Sequence, residues 1–326
     1  MELFVPGRLL IVGDHSDWVG MFNRGIDTHC IITLLDKGIY ANVEKSDKFI
    51  FKFGEQEVEC ELKDLLKLAK SNSFFKYAAG TAQQLAEHGG VKIEITKMDL
   101  PIAKGLASSA TVCVLVAKAY NELYNLHLSK KAIMYYAYFG EITAKSKCGR
   151  GDQVSAYDEK VTHIIFNNGN VSVSPIKLKG KFCFLIADLK SKKNTSVICK
   201  DLQKGFLESW GVRDFLEIFN TEICNKAHKA LTNGNVRKLA RCMNKSFKLF
   251  DEILAPYSKE ELKAPKLHEV TSDCFIKSNT LAAKGIGAQG DGSIQILCKN
   301  ERKLNKVKKY LKDVYDLDAE VFILKP

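Results

Sequence analysis

Several things are scarce or missing in this chain of 326 residues, and each absence excludes something. No apolar run approaches the eighteen or so residues that a helical membrane span needs, so no membrane association is expected. The opening stretch MELFVPGRLLIVGDHSD has no basic segment followed by an apolar core and a cleavage site, so no secretory signal is expected either. Proline occurs only six times, and apolar residues make up 46% against 27% charged, which is a globular composition rather than a fibrous or disordered one. Ten cysteines lie scattered from Cys30 to Cys298 without one C-x-x-C pair. That spacing argues against a zinc ribbon and against a disulfide framework, and for reduced, mostly buried thiols in a cytoplasmic protein. The seven histidines show no H-E-x-x-H spacing, and G-x-x-x-x-G-K-[ST] occurs nowhere.

One charge is in excess. Lysine and arginine number 49 against 38 acidic residues, a net charge of +11. Nucleic acid is one explanation, but the lysines are dispersed and no aromatic-and-basic RNA-binding pattern accompanies them. A solvated surface that favours anionic ligands such as nucleotides fits better, and no nucleic-acid partner is expected.

What is present alternates between strands and helices. RLLIV, THCIITLL, GIYANV, KFIFKF and QEVECEL read as short strands within the first 62 residues. Residues 74–88 read as a helix, VKIEIT at 91–96 as a strand, and residues after 107 as a long helix ending near Tyr124. Ser129 reads as the N-cap of a helix over 130–146. The turn NNGN at 167–170 predicts a hairpin, FCFLIADL at 182–189 a central strand, and 235–254 an amphipathic helix. Strands precede helices in each half, which predicts an α+β protein of two domains, 1–172 and 173–326.

Three glycine-bearing segments and two acids invite chemistry. PGRLLIVGDHSDWVG, residues 6–20, carries Asp14, His15 and Asp17 in a loop after a strand, able to converge on hydroxyl groups or to form a solvated turn. PIAKGLASSATV, residues 101–112, leads through Gly105 into Ser108 and Ser109 at a helix start. Such a start offers unpaired N–H groups and a favourable dipole to an anion, yet serines also simply cap helices. KGIGAQGDGSIQIL at 284–297 places four glycines within eight residues, more than a hairpin needs, as where a loop passes close to a ligand or another backbone. Glu141 late in one helix and Asp152 in GRGDQ could divide metal binding and proton transfer between them.

Taken in order, these segments resemble the GHMP kinase superfamily. Its N-terminal P-G-[RK]-x-x-[LI]-x-G-[ED]-H loop corresponds to Pro6-Gly7-Arg8 through Gly13-Asp14-His15. Its P-x-x-x-G-L-x-S-S-A phosphate loop corresponds to Pro101 through Ala110, and its C-terminal glycine-rich loop to Gly285 through Gly292. The resemblance implies a first domain similar to domain 2 of ribosomal protein S5 and a ferredoxin-like second domain. It implies ATP on Lys104, Gly105, Leu106, Ala107, Ser108, Ser109 and Ala110, with Mg²⁺ held by Ser109 and Glu141. It makes Asp152 and Arg8 the catalytic pair and assigns the acceptor to Asp14, His15, Asp17, Asp152, Gly287 and Gly290. Asp14-His15-x-Asp17 and the dipeptide Asp152-Gln153 look most like galactokinases, which implies phosphorylation of a sugar hydroxyl, the anomeric one included. Asp14 in place of glutamate, Ala107 in place of Gly or Ser, and Gln289 and Asp291 within the third loop depart from the pattern. A mevalonate or heptose-phosphate kinase and a catalytically silent sugar sensor are the alternatives. The implied partners are a small-molecule sugar or related alcohol and, at most, a second copy of the chain, as monomer or homodimer.

Overall fold

The computed structural model describes residues 1–22, 25–100 and 105–326. The chain forms two compact units, Met1–Arg8 with Leu34–Glu159 and Leu9–Thr33 with Lys160–Pro326. The division expected at 172/173 is a single cut, whereas these units interleave. The reason is local: strands β1 (Glu2–Val12) and β2 (Thr28–Ser46) each contribute residues to both units.

In the first unit, β3 (Phe49–Phe53) and β4 (Gln56–Cys60) form an antiparallel hairpin. Strand β5 (Gly90–Met98) pairs parallel with β3 and antiparallel with residues 39–46 of β2. A parallel pair needs a crossover, which helices Leu62–Ala69 and Lys76–Leu85 supply. The first of these eight-to-ten-residue helices has no counterpart in the sequence reading, although Leu62, Leu65, Leu66 and Ala69 keep helical spacing. On β5, Val91, Ile93 and Ile95 are buried and alternate with Lys92 and Glu94, and the register sets Val43 beside Ile93 and Ala41 beside Ile95.

Helix Ser108–Tyr124 is buried along Cys113, Val114, Leu115, Val116 and Ala117, as a central helix must be. Helix Lys130–Thr143 begins as expected, the Ser129 hydroxyl accepting from the Ala132 amide at 3.1 Å. It packs on helix Lys76–Leu85 at very short range: a Cβ on Gly140 would stand 2.0 Å from Thr81 Oγ1 and 2.7 Å from Thr81 Cα. Glycine there is a packing requirement, since no rotamer change moves a backbone atom.

In the second unit, residues 28–33 of β2 pair with β6 (Val161–Asn167), which turns into β7 (Asn170–Pro175). The connection is the predicted two-residue turn, with Asn168 at φ 44° and Gly169 at φ 77°. A separate antiparallel sheet runs β11-β8-β10-β9, from β8 (Phe182–Asp188), β9 (Ala282–Gly285), β10 (Ser293–Cys298) and β11 (Ala319–Leu324). Counted from its own first strand the order is 4-1-3-2, with a helix Glu301–Tyr315 before the last strand, which is the expected ferredoxin-like arrangement. β8 is central, which explains its unbroken apolar run: Phe182 through Ala187 are all buried.

The rest of this unit is helical. Trp18, Ile198, Leu202, Phe206, Phe215, Phe250 and Leu254 share one core. The helix expected over 235–254 is present as Val236–Leu249, followed by a wide π-turn, Phe250–Leu254, that keeps Phe250 and Leu254 buried. None of the ten cysteines forms a disulfide, seven of them are buried, and among the described residues no helix is long and apolar enough to cross a membrane.

Candidate active site

The first unit gathers Arg8, Gly105, Ser109, Glu141 and Asp152. Arg8 is 4% exposed and makes three side-chain contacts. Its Nε and Nη2 donate to Asp152 Oδ1 at 3.0 and 2.6 Å, and Nη1 donates to the Gly105 carbonyl at 2.5 Å. The guanidinium therefore ties the acidic loop to the loop before helix Ser108–Tyr124. Its backbone amide adds a bond to the Leu106 carbonyl at 3.4 Å. Arg8 is nearly sealed, with 5% of its side chain exposed, whereas 31% of the Asp152 side chain still meets solvent.

The start of helix Ser108–Tyr124 differs from the simple expectation of a serine cap. The capping position is Ala107, held left-handed at φ 62°, and its side chain makes no capping bond. Its carbonyl accepts from both the Thr111 amide and the Thr111 hydroxyl at 2.9 Å. The serines are thus the first two helical residues, and among the described residues no capping side chain meets the N–H groups of that turn, the arrangement that attracts an anion. Leu106, Ala107 and Ala110 are buried beneath it, and Gly105 sits at φ 82°. Lys104 lies outside the described residues.

Glu141 is 2% exposed, hydrogen-bonded to the Ser109 hydroxyl, and accepts from Gln153 Nε2 at 2.5 Å. Burial, with the Asp152 carboxylate adding to it, raises its pKa to about 7; the bonds from Ser109, Gln153 and Cys148 oppose the shift. Gln153 is the residue that sequence reasoning undervalued, quoted only as half of a dipeptide although its amide fixes the buried acid.

The second unit holds Asp14, His15, Asp17, Gly287 and Gly290. Asp14 is 1% exposed, and its carboxylate accepts from Lys284 Nζ at 3.0 and 2.8 Å and from Gln289 Nε2 at 2.8 Å. Its carbonyl accepts from Asn220 Nδ2 at 2.9 Å. The expectation that Asp14 offers its oxygens directly to an acceptor hydroxyl is not what this geometry provides, because internal donors engage both oxygens. Lys284 was missed by sequence reasoning: a lysine in front of a glycine-rich loop reads as solvated, and nothing in its spacing points to residue 14.

His15, at φ 65°, is 6% exposed and stacks on Phe250 with ring centroids 5.8 Å apart. Burial lowers its pKa to about 4, with Lys193 and Lys284 adding to the shift and Asp14 opposing it. The imidazole is therefore neutral near neutral pH. Trp18 Nε1 can only donate, and it lies 2.9 Å from His15 Nδ1, so Nδ1 is the acceptor and the proton resides on Nε2. The Nε2 atom is buried, and the imidazole also bonds the Ala288 backbone, so the ring is held inside the fold. Asp17 is half-buried in the short helix Ser16–Val19 that follows.

The glycines of the third segment answer largely to protein neighbours. A Cβ on Gly290, at φ 71°, would stand 3.0 Å from the Glu261 carbonyl, and one on Gly285 would stand 2.3 Å from Gln289 Oε1. Gly287 adopts φ 64°. Gln289 and Asp291, which break the glycine run, both bond within the protein. Gln289 donates to Asp14, and Asp291 accepts from the Leu267 and Lys266 amides at 2.9 and 3.3 Å, capping helix Pro265–Ser272.

Residues 73–159 match the family model described as the GHMP kinases N terminal domain. The chain is 26% identical over 343 residues to a galactokinase of Thermotoga neapolitana, covering 97% of this chain and 94% of that protein. Among solved structures it resembles Methanococcus jannaschii mevalonate kinase with a TM-score of 0.76 at 21% identity, covering 99% and 97% of the two chains. It also resembles Lactococcus lactis galactokinase complexed with galactose, with a TM-score of 0.75 at 16% identity, covering 99% and 92%. Those identities speak to the fold, and the family model and the full-length sequence relative speak to the lineage. With its three motifs in order, the chain carries the GHMP kinases N terminal domain over residues 73–159 and is similar to galactokinases over nearly its whole length.

Proposed function

We propose that this protein is an ATP-dependent sugar kinase that transfers the γ-phosphoryl group to a sugar hydroxyl. The observation that carries the reading is the Arg8 guanidinium, bonded at once to Asp152 and to the Gly105 carbonyl beside an uncapped helix start. Phosphoryl transfer asks for alignment and charge cancellation more than covalent chemistry, and this cluster holds the means for both.

In this reading the amides of Gly105 through Ala110 cradle phosphate oxygens, aided by the helix dipole. Lys104 is proposed as a further phosphate contact. Both Arg8 contacts fall on Oδ1 of Asp152, so Oδ2 is the oxygen proposed to take the proton of the acceptor hydroxyl. Arg8 keeps Asp152 oriented and offsets charge as the transferred group departs. Mg²⁺ fits this site: the Ser109 hydroxyl and the Glu141 carboxylate are adjacent hard oxygen donors already bonded to each other. When bound, Mg²⁺ would supply charge neutralisation on the phosphates. Glu141 would give up its proton to hold it, and Gln153 would keep the carboxylate in place.

His15 is proposed to support the acceptor side of the 13–17 loop from within, with Asp17 accepting from a sugar hydroxyl and Gly287 and Gly290 shaping the loop. Asp14 acts one step back, through its loop. The alternatives within the superfamily, a mevalonate or heptose-phosphate kinase or a silent sensor, make different demands. Ten cysteines without a disulfide suit the reducing cytoplasm, where we place a monomer or homodimer acting on a small molecule.

An ADP-release assay across free hexoses, sugar phosphates and mevalonate tests this. Turnover is expected with a free hexose, galactose first. Turnover with mevalonate or a heptose phosphate alone would reassign the substrate, and nucleotide binding without turnover on any acceptor would mark a sensor.

A further inference from the structure

Phosphoryl transfer as read above makes no use of the buried cation of the second unit. Lys284 is 0% exposed and sits on β9, where the sheet sets it opposite Gln295 of β10. Its amine meets both oxygens of Asp14, and Gln289 supplies the third donor. Gln289 is itself held in a left-handed conformation at φ 63°, unfavourable for a side chain with a Cβ. Its carbonyl accepts from Lys193 Nζ at 2.6 Å, and the same amine reaches the Ile286 carbonyl at 3.1 Å. From the other side, Asn220 Nδ2 donates to the Asp14 carbonyl at 2.9 Å and to Ser16 Oγ at 3.3 Å.

A buried ion pair is a poor way to gain stability, because desolvation offsets attraction and apolar residues of equal volume often serve as well. What such a pair does well is fix geometry, since stranding either charge is costly. Here it joins two loops far apart in sequence, the 13–17 loop and the 284–292 segment.

We infer that Lys284 is a positioning residue for the acceptor: through Asp14 and Gln289 it locks the 13–17 loop onto the glycine-rich segment and so fixes the shape of that loop. The inference rests on the proposed reading of the 13–17 loop as the acceptor site. His15 needs such a lock. It occupies a left-handed conformation at φ 65° directly after Asp14, and a loop released from Asp14 would relax toward ordinary backbone angles and turn the imidazole. The position of Lys284 on a strand, rather than in the loop it anchors, makes the anchor rigid.

The test is the Asp14→Asn/Lys284→Met double variant, which removes both charges without stranding one. Amide hydrogen exchange over residues 9–22 is measured alongside ATP affinity and steady-state kinetics with ATP and D-galactose. We expect unfolding to remain cooperative and ATP affinity to stay within about twofold. Exchange protection in the 13–17 loop should fall by about tenfold, the KM for galactose should rise by about tenfold, and kcat should change by less than about threefold, the pattern of a lost binding geometry. A folded double variant with native protection and native KM overturns the inference. Should that variant not fold, Asp14→Asn alone removes the charge that Lys284 holds while keeping the side chain's shape; a 13–17 loop as protected as in the native protein then overturns it equally. If the native protein transfers nothing to galactose, the acceptor reading fails by itself, and the exchange measurement, which needs no ligand, still decides whether Lys284 locks the loop.

Discussion

Each unit carries one prominent arginine or lysine paired with an aspartate, and the two pairs are built for different work. In the first unit the Arg8 side chain is 5% exposed and the Asp152 side chain 31%. In the second, Lys284 and Asp14 are 0% and 1% exposed. Arg8 engages one oxygen of Asp152, while Lys284 and Gln289 engage both oxygens of Asp14. A carboxylate with an oxygen to spare and access to solvent can exchange a proton with a substrate. A carboxylate with its oxygens engaged and no access can only hold something still. A cation–aspartate pair is thus suited to chemistry in one unit and to geometry in the other, and solvent access and spare hydrogen-bonding capacity set the difference.

The sharpest way to break this comparison is to remove each cation. Lys284→Met strands a buried Asp14 and should cost about 3–5 kcal/mol in urea unfolding. Arg8→Met leaves Asp152 in reach of water and should cost clearly less. Equal losses would erase the distinction between the pairs. Next in size is Asp152→Asn, which should lower turnover by about 100-fold or more, close to 2.7 kcal/mol of barrier, with ATP binding retained. A fully active, folded Asp152→Asn protein would remove its assignment as the proton acceptor.

Acidity provides a third, smaller effect, and it belongs to the second unit. His15 and His163 are both lowered from 6.5 to about 4, chiefly by burial. Between those values the unfolded chain binds protons that the folded chain refuses. Stability should hold above pH 6.5 and fall as pH drops toward 4, by up to about 1.4 kcal/mol per pH unit for each histidine. Denaturation midpoints collected over that range check the slope, and replacing His163 with Gln should reduce it. The smallest effect is expected at the phosphate loop. Ala107 occupies φ 62°, where a Cβ is crowded, so Ala107→Gly should raise stability by up to about 1 kcal/mol in thermal unfolding. A clear loss of stability there would show that the methyl packs better than its backbone angle implies.

Much of the first unit was legible because its signals are local. Gly105, the serine pair, the Ser129 cap and the alternation of VKIEIT each concern neighbours within a few positions, where propensity and periodicity operate. The second unit was legible where it is local too, as at the Asn168-Gly169 turn. It was opaque at its site. Asp14 and Lys284 lie 270 residues apart, and no spacing rule connects them. Asp14 therefore read as a ligand for hydroxyls, since an aspartate in a polar loop offers two acceptors until something else takes them. Gln289 read as an interruption of a glycine run and is in fact the third donor of that cluster.

The sequence by itself determined the family resemblance, the α+β class and the Asn168-Gly169 hairpin, because those rest on short ordered motifs and on hydrophobic period. Only the tertiary structure decided what each acid can do. Whether an aspartate is a base or an anchor depends on how many donors reach its oxygens and how much water reaches its surface. Whether a helix start is capped by its serine or left open beneath an alanine depends on the path of the preceding chain. Both are set by packing between segments distant in sequence, and there the local pattern is silent.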